Sequence, residues 1–371
     1  MTTSAADQAQ KITTGARYAS DIPLRIIART AGSCVLALCL LFLAGCSEGS
    51  GELKLEGATM GTTWHVTLIL PADLDVGPSW LQQGIEARLE AVNASMSTYR
   101  PDSEISRFNA APVDEWFPVS NDFYLVLSAA IAISRKSQGA YDVTVGPLVN
   151  LWGFGPGGDL AQPPDPESIA AQLERVGQDK LRLDGDGARI KKLAELYLDF
   201  SSIAKGFAVD DVASWLSGAG IDNYLVEVGG EMRVAGLSAR GDAWRIGIEQ
   251  PDASSTILAR AIRLDNVAVA TSGDYRNYFE VDGVRYSHSI DPRTGYPVAH
   301  ELVSVTVVHP SSMIADGWAT ALVVLGATEA WKVAQAEGLA VYFIQRDGDG
   351  YQSRHTEAFA TFIEGQQQQG Q

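Results

Sequence analysis

The feature that most constrains the fold is a long series of strand patterns with few helices between them. After residue 244 the sequence predicts mainly strands, at 244–249, 260–265, 267–271, 277–281, 303–308 and 340–345. Only two helices are predicted in this part, at about 314–325 and 328–337. Strands interleaved with only some helices favour an α+β architecture over a strictly alternating parallel fold.

The first half of the chain contributes further elements to the same sheet. Strands are predicted at 62–70 and 224–236, and helices at about 81–92, 122–137 and 167–176. A strand that starts at Leu196 is expected to run into a helix closed by Gly218 and Gly220. With 46% hydrophobic residues the chain can bury one large core or two smaller ones. We predict a mixed sheet core with flanking helices, in two packed lobes with the active site between them.

The amino terminus has the pattern of an export signal. Basic residues precede the apolar run 31–43, which is too short for a resident membrane span and ends in "LAGC". Small residues before a cysteine resemble the lipobox of bacterial lipoproteins, which predicts a signal peptide at 1–45 and a lipid on Cys46. The alternative is a removed signal with an incidental cysteine. We expect a tether at 46–56, a catalytic domain at 57–362 and a disordered polar tail at 363–371.

This reading predicts a periplasm-facing protein anchored to a bacterial membrane by its lipid. In such lipoproteins a serine such as Ser47 after the cysteine points to the outer membrane, and the inner membrane is the alternative. Cys34 and Cys39 lie in the segment to be removed and Cys46 would carry lipid, so no thiol remains for a disulfide or a metal. A metal would therefore be held by oxygen or histidine.

The charge of the chain excludes one class of partner. The formal net charge is −17, and the first 45 residues carry four basic and two acidic side chains, which leaves −19 on the rest. So acidic a chain, without a basic stripe, repels nucleic acid. An anionic small-molecule substrate would need local compensation of this charge, such as a divalent cation.

Three stretches carry residues suited to chemistry. Asp316 and Thr320 are four residues apart in the apolar helix "MIADGWATALVVLG", so their oxygens share one face and suit Mg²⁺. The alternative is that Asp316 caps the helix and Thr320 bonds back to its own backbone. In "YLDFSSIAKGFAVDD", Asp199 ends the predicted strand and Ser201 and Ser202 open the helix.

Free backbone N–H groups at that helix start, together with Lys205, could bind an anion. An ordinary serine cap with a solvated lysine would explain the same residues. In the third stretch, Tyr141, Trp152 and Phe154 could line a pocket for an aromatic ring or belong to the core. "GG" at 229–230, before Glu231, is a weak phosphate-loop signal.

A lone histidine lies in the turn-rich segment "YSHSIDPRTGYP". His288 stands between two serines in a segment where Asp-Pro and Thr-Gly predict a rigid loop. A histidine of ordinary pKa, about 6.5, can accept a proton from a hydroxyl group at neutral pH. A satisfied structural histidine is the alternative.

Seven segments together resemble the FAD:protein FMN transferase family, once described as thiamine-biosynthesis lipoproteins. These segments are "GATMGTTW", "MSTYRPDSEISRFN", "YDVTVGPLVNLWGFGP", "LDFSSIAKGFAVD", "VEVGGEMRVAG", "ATSGDYRNYFEVDGVRYSHSIDPRTGYPV" and "ADGWATALVVLG". The resemblance implies an enzyme that cleaves FAD with Mg²⁺ and attaches FMN to a threonine of a partner protein, releasing AMP. Partners in the family are flavin-carrying subunits of membrane redox complexes, modified at a short Ser/Thr-containing motif.

The resemblance also implies roles for individual residues. Flavin-dinucleotide contacts are implied for Met60, Tyr99, Ala140, Tyr141, Asp142, Asp199, Lys205 and Ile290. Metal binding is implied for Ser202, Asp316, Ala319 and Thr320, where Ala319 could act only through its backbone carbonyl. Our hypothesis is that His288 takes the proton of the incoming threonine while Asp291, Pro292 and Thr294 fix the loop, so His288 and Asp291 are the predicted catalytic pair. Hydrolysis of FAD, flavin binding without chemistry and an acidic scaffold remain as alternatives.

Overall fold

An eight-stranded sheet organises the chain. The structure is a computed structural model that describes residues 51–158, 162–185, 188–251, 258–273 and 278–364. All neighbouring strands of the sheet are antiparallel. In spatial order the strands are β1 (Glu52–Thr59), β2 (Thr62–Ile69), β6 (Tyr224–Val228), β7 (Glu231–Ala235), β10 (Ala268–Gly273), β13 (Leu302–His309), β14 (Ala340–Asp347) and β15 (Gly350–His355).

Three smaller sheets accompany it in the described residues. One has three strands, with β5 (Arg189–Lys192) between β3 (Phe117–Pro118) and β4 (Leu181–Asp184). The other two are pairs, β8 (Trp244–Glu249) with β9 (Leu258–Leu264) and β11 (Tyr278–Val281) with β12 (Val284–Ser287).

The described helices vary widely in length. They are α1 (Pro78–Met96), α2 (Glu104–Ala110), α3 (Asn121–Lys136), α4 (Gly146–Leu151), α5 (Pro166–Leu173), α6 (Ala204–Gly218), α7 (Ser312–Ala336) and α8 (Glu357–Ala360). Within the described ranges, no helix combines the length and apolar character that a membrane crossing requires.

The sheet is covered on both faces. In β14, Val341 and Phe343 pack in the larger core with α1, α3, α6 and α7, while Tyr342 and Ile344 pack in a second core with β8, β9 and α8. This alternation is the period of two that a strand between two layers requires. The described part of residues 50–371 forms one compact unit, with a core on each face of the sheet. The predicted α+β class, with a sheet core and flanking helices, is confirmed.

A close contact between α6 and α7 fixes the part of the fold that carries the site. Gly206 lies against the backbone of Ser312 so tightly that an added Cβ would come within 2.4 Å of its oxygen. The carboxylate of Asp210 accepts hydrogen bonds from the backbone N–H groups of Ser312 and Met313 in the first turn of α7. A carboxylate at a helix start is favoured by the unpaired N–H groups there. The start of α7 is therefore anchored to α6.

Two predictions near the amino terminus and at Leu196 need correction. Residues 52–56 of the predicted tether form most of β1, an edge strand paired with β2. The predicted strand after Leu196 is absent; Tyr197 makes only an isolated bridge to Val145. Helix α6 starts at Ala204, so Ser201 and Ser202 lie in the preceding turn and do not open the helix.

Other predictions differ in detail. The predicted strand 224–236 is a hairpin of β6 and β7, with Gly229 and Gly230 at its turn. The helices predicted at 314–325 and 328–337 are both present within α7, and Gly326, at φ 72°, separates them with non-helical backbone. Ile363, in the predicted tail, is buried. The signal peptide, Cys46 and residues 365–371 lie outside the described residues.

Candidate functional site

A deep cleft brings most of the predicted residues together. Its volume is about 1170 Å³, somewhat above the roughly 300–1,000 Å³ typical of small-molecule sites, so it has room for a dinucleotide. The predicted residues that line it are Met60, Tyr99, Ala140, Tyr141, Asp142, Asp199, Ser202, Lys205, His288, Ile290, Asp316 and Thr320.

A lysine and two buried carboxylates form the charged centre of the cleft. The Nζ atom of Lys205 lies 3.1 Å from Oε2 of Glu231 and 4.0 Å from Oδ2 of Asp316. Asp316 is 2% exposed, and its Oδ2 accepts a hydrogen bond of 3.0 Å from the backbone N–H of Gly206. This bond joins α7 to the first turn of α6, so the position of Asp316 depends on the packing of the two helices.

Burial and charge shift the pKa values of this centre. Burial raises the pKa of Asp316 and of Glu231, and the Lys205 ammonium opposes both shifts. Burial alone would lower the pKa of Lys205, but attraction to Asp316 and Glu231 outweighs it and raises that pKa. Lys205 is therefore a permanent cation inside the cleft.

The predicted pair on α7 faces the cleft as the helical spacing requires. Thr320 lies one turn after Asp316, and its Oγ1 is 3.1 Å from Oγ of Ser272 on β10. The helix cap is Ser311, whose side chain accepts from the N–H of Ile314. Asp316 is thus not the cap, and both Asp316 and Thr320 line the cleft.

Tyr141 and Asp142 form a second polar group in the cleft. The Tyr141 hydroxyl accepts a hydrogen bond of 3.0 Å from Oγ of Ser202, and burial raises the pKa of Tyr141. Asp142 Oδ1 accepts from the N–H and the hydroxyl of Thr144, and Oδ2 accepts from the N–H of Gln178. Burial nevertheless raises the pKa of Asp142. These bonds give the turn one fixed conformation.

Met60 is held at the cleft by an unusual backbone conformation. It occupies the two-residue turn between β1 and β2 at φ 49°, followed by Gly61 at φ 72°. Such values match the tight hairpin turns that suit the twist of paired strands, although they are uncommon for a side chain like methionine. Across the cleft, the hydroxyl of Tyr99 donates to the carbonyl of Phe154.

An aromatic ring packs against His288. The ring of Phe154 lies edge-on to it, 6.3 Å between centroids, and also packs on Phe279. Phe154 and Tyr141 line the cleft, whereas Trp152 is buried and its indole N–H donates to the carbonyl of Gly295. Of the three aromatic residues considered for a pocket, two therefore belong to it and one belongs to the core.

Asp291 lies outside the cleft lining. Its carboxylate accepts from the backbone N–H of Arg293 and from both Nε and a terminal nitrogen of that guanidinium. Its carbonyl accepts from the N–H groups of Thr294 and Gly295. Asp291 therefore holds the loop together, as the hypothesis for the loop requires, and a catalytic contact of its own is not supported by this geometry.

Ala319 is also absent from the lining. It is fully buried on the side of α7 that packs in the larger core. In the described part of the chain, no group of three or more His, Cys, Asp or Glu side chains is arranged to hold a metal ion. A cation here would have to combine Asp316 with hydroxyl oxygens and with oxygens of the ligand.

Glu231 and Ser272 line the cleft without having been predicted as site residues. The segment "GGE" was considered only as a phosphate loop, and its carboxylate in fact meets a lysine from another helix. In the sequence, Glu231 could have been found as an acidic residue directly after the two glycines of a hairpin turn. Nothing in the sequence around Ser272 pairs it with Thr320.

Buried carboxylates, hydroxyl groups and a lysine that converge in one cleft are the features of an enzyme active site. The chain belongs to the ApbE family, whose model matches residues 60–343. The matched range contains most of the first of the seven segments and all of the other six.

Relatives and solved structures agree with the family. The FAD:protein FMN transferase of Haemophilus influenzae is 45% identical over 329 residues, which cover 87% of this chain and 95% of the relative. That of Vibrio cholerae is 45% identical over 324 residues, covering 87% and 96%. The structure of flavin transferase ApbE from Vibrio cholerae matches with a TM-score of 0.79 at 44% identity, covering 84% of this chain and 99% of that one. The apo form of Pseudomonas stutzeri flavinyl transferase ApbE matches with a TM-score of 0.78 at 41% identity, covering 84% and 96%.

Proposed function

We propose that this chain transfers FMN from FAD to a threonine hydroxyl of a partner redox protein, in a Mg²⁺-dependent reaction that releases AMP. The observation that carries the proposal is the convergence of Asp316, Thr320, Lys205 and His288 on one cleft with room for a dinucleotide. Relatives named FAD:protein FMN transferase, at 45% identity over most of the chain, support the same reaction.

The oxygen donors of the cleft fit Mg²⁺. Mg²⁺ is commonly bound through one or two carboxylates while waters and substrate phosphates complete its shell. Asp316 supplies one carboxylate, and Thr320 and Ser202 supply hydroxyl groups in the same cleft. When bound, the ion would neutralise charge on the pyrophosphate of FAD. This help matters because the chain carries a formal charge of −17.

The residues of the chain have distinct roles in the proposed reaction. The acceptor hydroxyl oxygen attacks the phosphorus of the FMN half, and the bond from that phosphorus to the bridging oxygen breaks. His288 takes the hydroxyl proton, and AMP leaves with the bridging oxygen. Lys205 offers its ammonium to the phosphates, and Tyr141 and Asp142 hold the turn against the dinucleotide. General-base help of this type contributes about 10² to 10⁴ in rate.

The test combines the purified chain with FAD, Mg²⁺ and a flavin-accepting subunit of a membrane redox complex. Mass spectrometry should find one FMN phosphoester on a threonine of the acceptor, with AMP released in equal amount, and omission of Mg²⁺ should prevent both. Free FMN together with an unmodified acceptor would show that the chain hydrolyses FAD and does not transfer FMN. Recovery of intact FAD after prolonged incubation would contradict enzymatic chemistry altogether.

We also propose that the chain is exported and lipid-anchored through Cys46, facing the periplasm. The support is the order of basic, apolar and small residues before that cysteine. Metabolic labelling with radioactive palmitate should mark the protein, and Cys46→Ser should abolish the label. A labelled Cys46→Ser protein, or an unlabelled unaltered one, would contradict the anchor.

A further inference from the structure

The hairpin turn between β6 and β7 has a role that the proposed reaction leaves unexplained. Gly229 and Gly230 form the turn and Glu231 follows it at the start of β7. All three line the cleft, and Glu231 is 4% exposed. A buried carboxylate is costly unless a partner compensates it, so its neighbours indicate what it does.

The turn contacts the side chain of Lys205 at two levels. A Cβ atom added to Gly229 would lie 2.8 Å from Cγ2 of Thr62 and 3.0 Å from Cδ of Lys205, so the absence of a side chain there leaves room for both neighbours. At the end of the lysine stem, Oε2 of Glu231 forms an ion pair with Nζ at 3.1 Å and accepts no hydrogen bond. The turn thus borders the stem and supplies the carboxylate nearest to the ammonium.

The ammonium has a second carboxylate within reach. Oδ2 of Asp316 lies 4.0 Å from Nζ, beyond the roughly 2.7–2.9 Å of a direct charge-assisted hydrogen bond. With the ammonium closer to Glu231, Asp316 keeps its Oδ2 on the N–H of Gly206 and still lines the cleft. Direct contact with Lys205 would instead place a competing cation on the metal ligand.

We infer that Glu231 is a positioning residue that holds Lys205 away from Asp316 and so keeps that carboxylate available to a divalent cation. The inference rests on the proposed function, because it takes Asp316 as the metal ligand. Removal of a residue in the outer shell of a metal site typically lowers the metal affinity about 10- to 100-fold. Removal of Glu231 would lower it by letting Lys205, a rival cation, contact Asp316.

The test compares Glu231→Gln with a matched control in the same hairpin. Glu227→Gln removes the same charge, but Glu227 bonds to His65 and to the N–H of Gly230 and does not line the cleft. Calorimetric titration of Mg²⁺ into the full chain should give an affinity about 10- to 100-fold weaker for Glu231→Gln and nearly unchanged for Glu227→Gln. Adding Lys205→Met to Glu231→Gln should restore most of the loss, because the rival cation is gone.

A crystal structure of Glu231→Gln supplies a readout that does not depend on the metal. Nζ of Lys205 should move into direct contact with Asp316. If Lys205 stays near its present position, or if Mg²⁺ binds Glu231→Gln as tightly as the unaltered chain, the inference is wrong. An unaltered chain that neither binds Mg²⁺ nor transfers FMN would contradict the proposed function instead, and the position of Lys205 would still decide whether Glu231 holds it.

Discussion

Gly206 allows a direct test of the idea that the contact between α6 and α7 sets the position of Asp316. In Gly206→Ala the new Cβ would lie 2.4 Å from the carbonyl oxygen of Ser312 and 2.8 Å from Cβ of Asp316. A backbone oxygen cannot swing away as the end of a flexible side chain can, so the helices must move apart. Overpacking of this kind costs about 1–3 kcal/mol, and a clash with backbone favours the upper part of that range.

The matched control is Gly218→Ala at the end of the same helix, where an added Cβ meets no atom within 4 Å. Both substitutions gain the helix preference of alanine, up to about 1 kcal/mol, so the difference between their free energies of unfolding isolates the clash. Urea denaturation should find Gly206→Ala less stable than Gly218→Ala by about 1–3 kcal/mol.

Activity should separate the two variants further. FMN transfer by folded Gly206→Ala should fall about 10²-fold, the loss that a shift on the order of 1 Å can cause, because Asp316 is bonded to the N–H of residue 206. Equal denaturation midpoints and equal transfer rates for the two variants would refute the role of the helix contact.

Three further predictions follow from the site and from the pKa shifts. His288→Ala should bind FAD normally, as judged by flavin fluorescence, and transfer FMN about 10²- to 10⁴-fold more slowly; undiminished transfer would remove His288 from the reaction. Asp316→Asn, or EDTA added to the unaltered chain, should abolish transfer in the mass assay, and persistence of transfer in EDTA would contradict a divalent ion. Burial raises the pKa of Asp211 above its ordinary value of 3.8, because it disfavours the charged carboxylate. The contribution of Asp211 to the free energy of unfolding is therefore lost as pH rises through the raised pKa. Asp211→Asn should therefore gain stability relative to the unaltered chain as pH rises from about 4 to 7 in urea titrations, and a constant difference would contradict the shift.

The predictable part of the site depends on local spacing. Asp316 and Thr320 were predicted to lie on one helix face, and both line the cleft. Residues four apart on a helix point in the same direction, and this relation does not depend on the rest of the fold. The segment around Asp199 shows the limit of this reasoning. Its apolar residues suggested a strand, but the side chain of Asn109 bonds to both the N–H and the carbonyl of Leu198. A distant side chain thus takes the place of a strand neighbour, which local sequence cannot reveal.

Two other differences have similar causes. Residues 52–56 were predicted as part of a tether. The alternation of charged residues with leucine there is that of an antiparallel strand with one solvated face, and β2 supplies the pairing. The ion pair of Lys205 and Glu231 joins residues from a helix and a hairpin. Its formation depends on how α6 packs beside β7, which is a property of the whole fold.

The order of strands in the large sheet has a consequence for folding of the protein. The β1–β2 hairpin obtains its inner neighbour only when residues 224–228 dock beside it, since Trp64 pairs with Val228. A contact between residues so far apart in the chain forms slowly, because a long loop must close first. Until it forms, one edge of the hairpin exposes unpaired backbone groups that can pair with a strand of another chain.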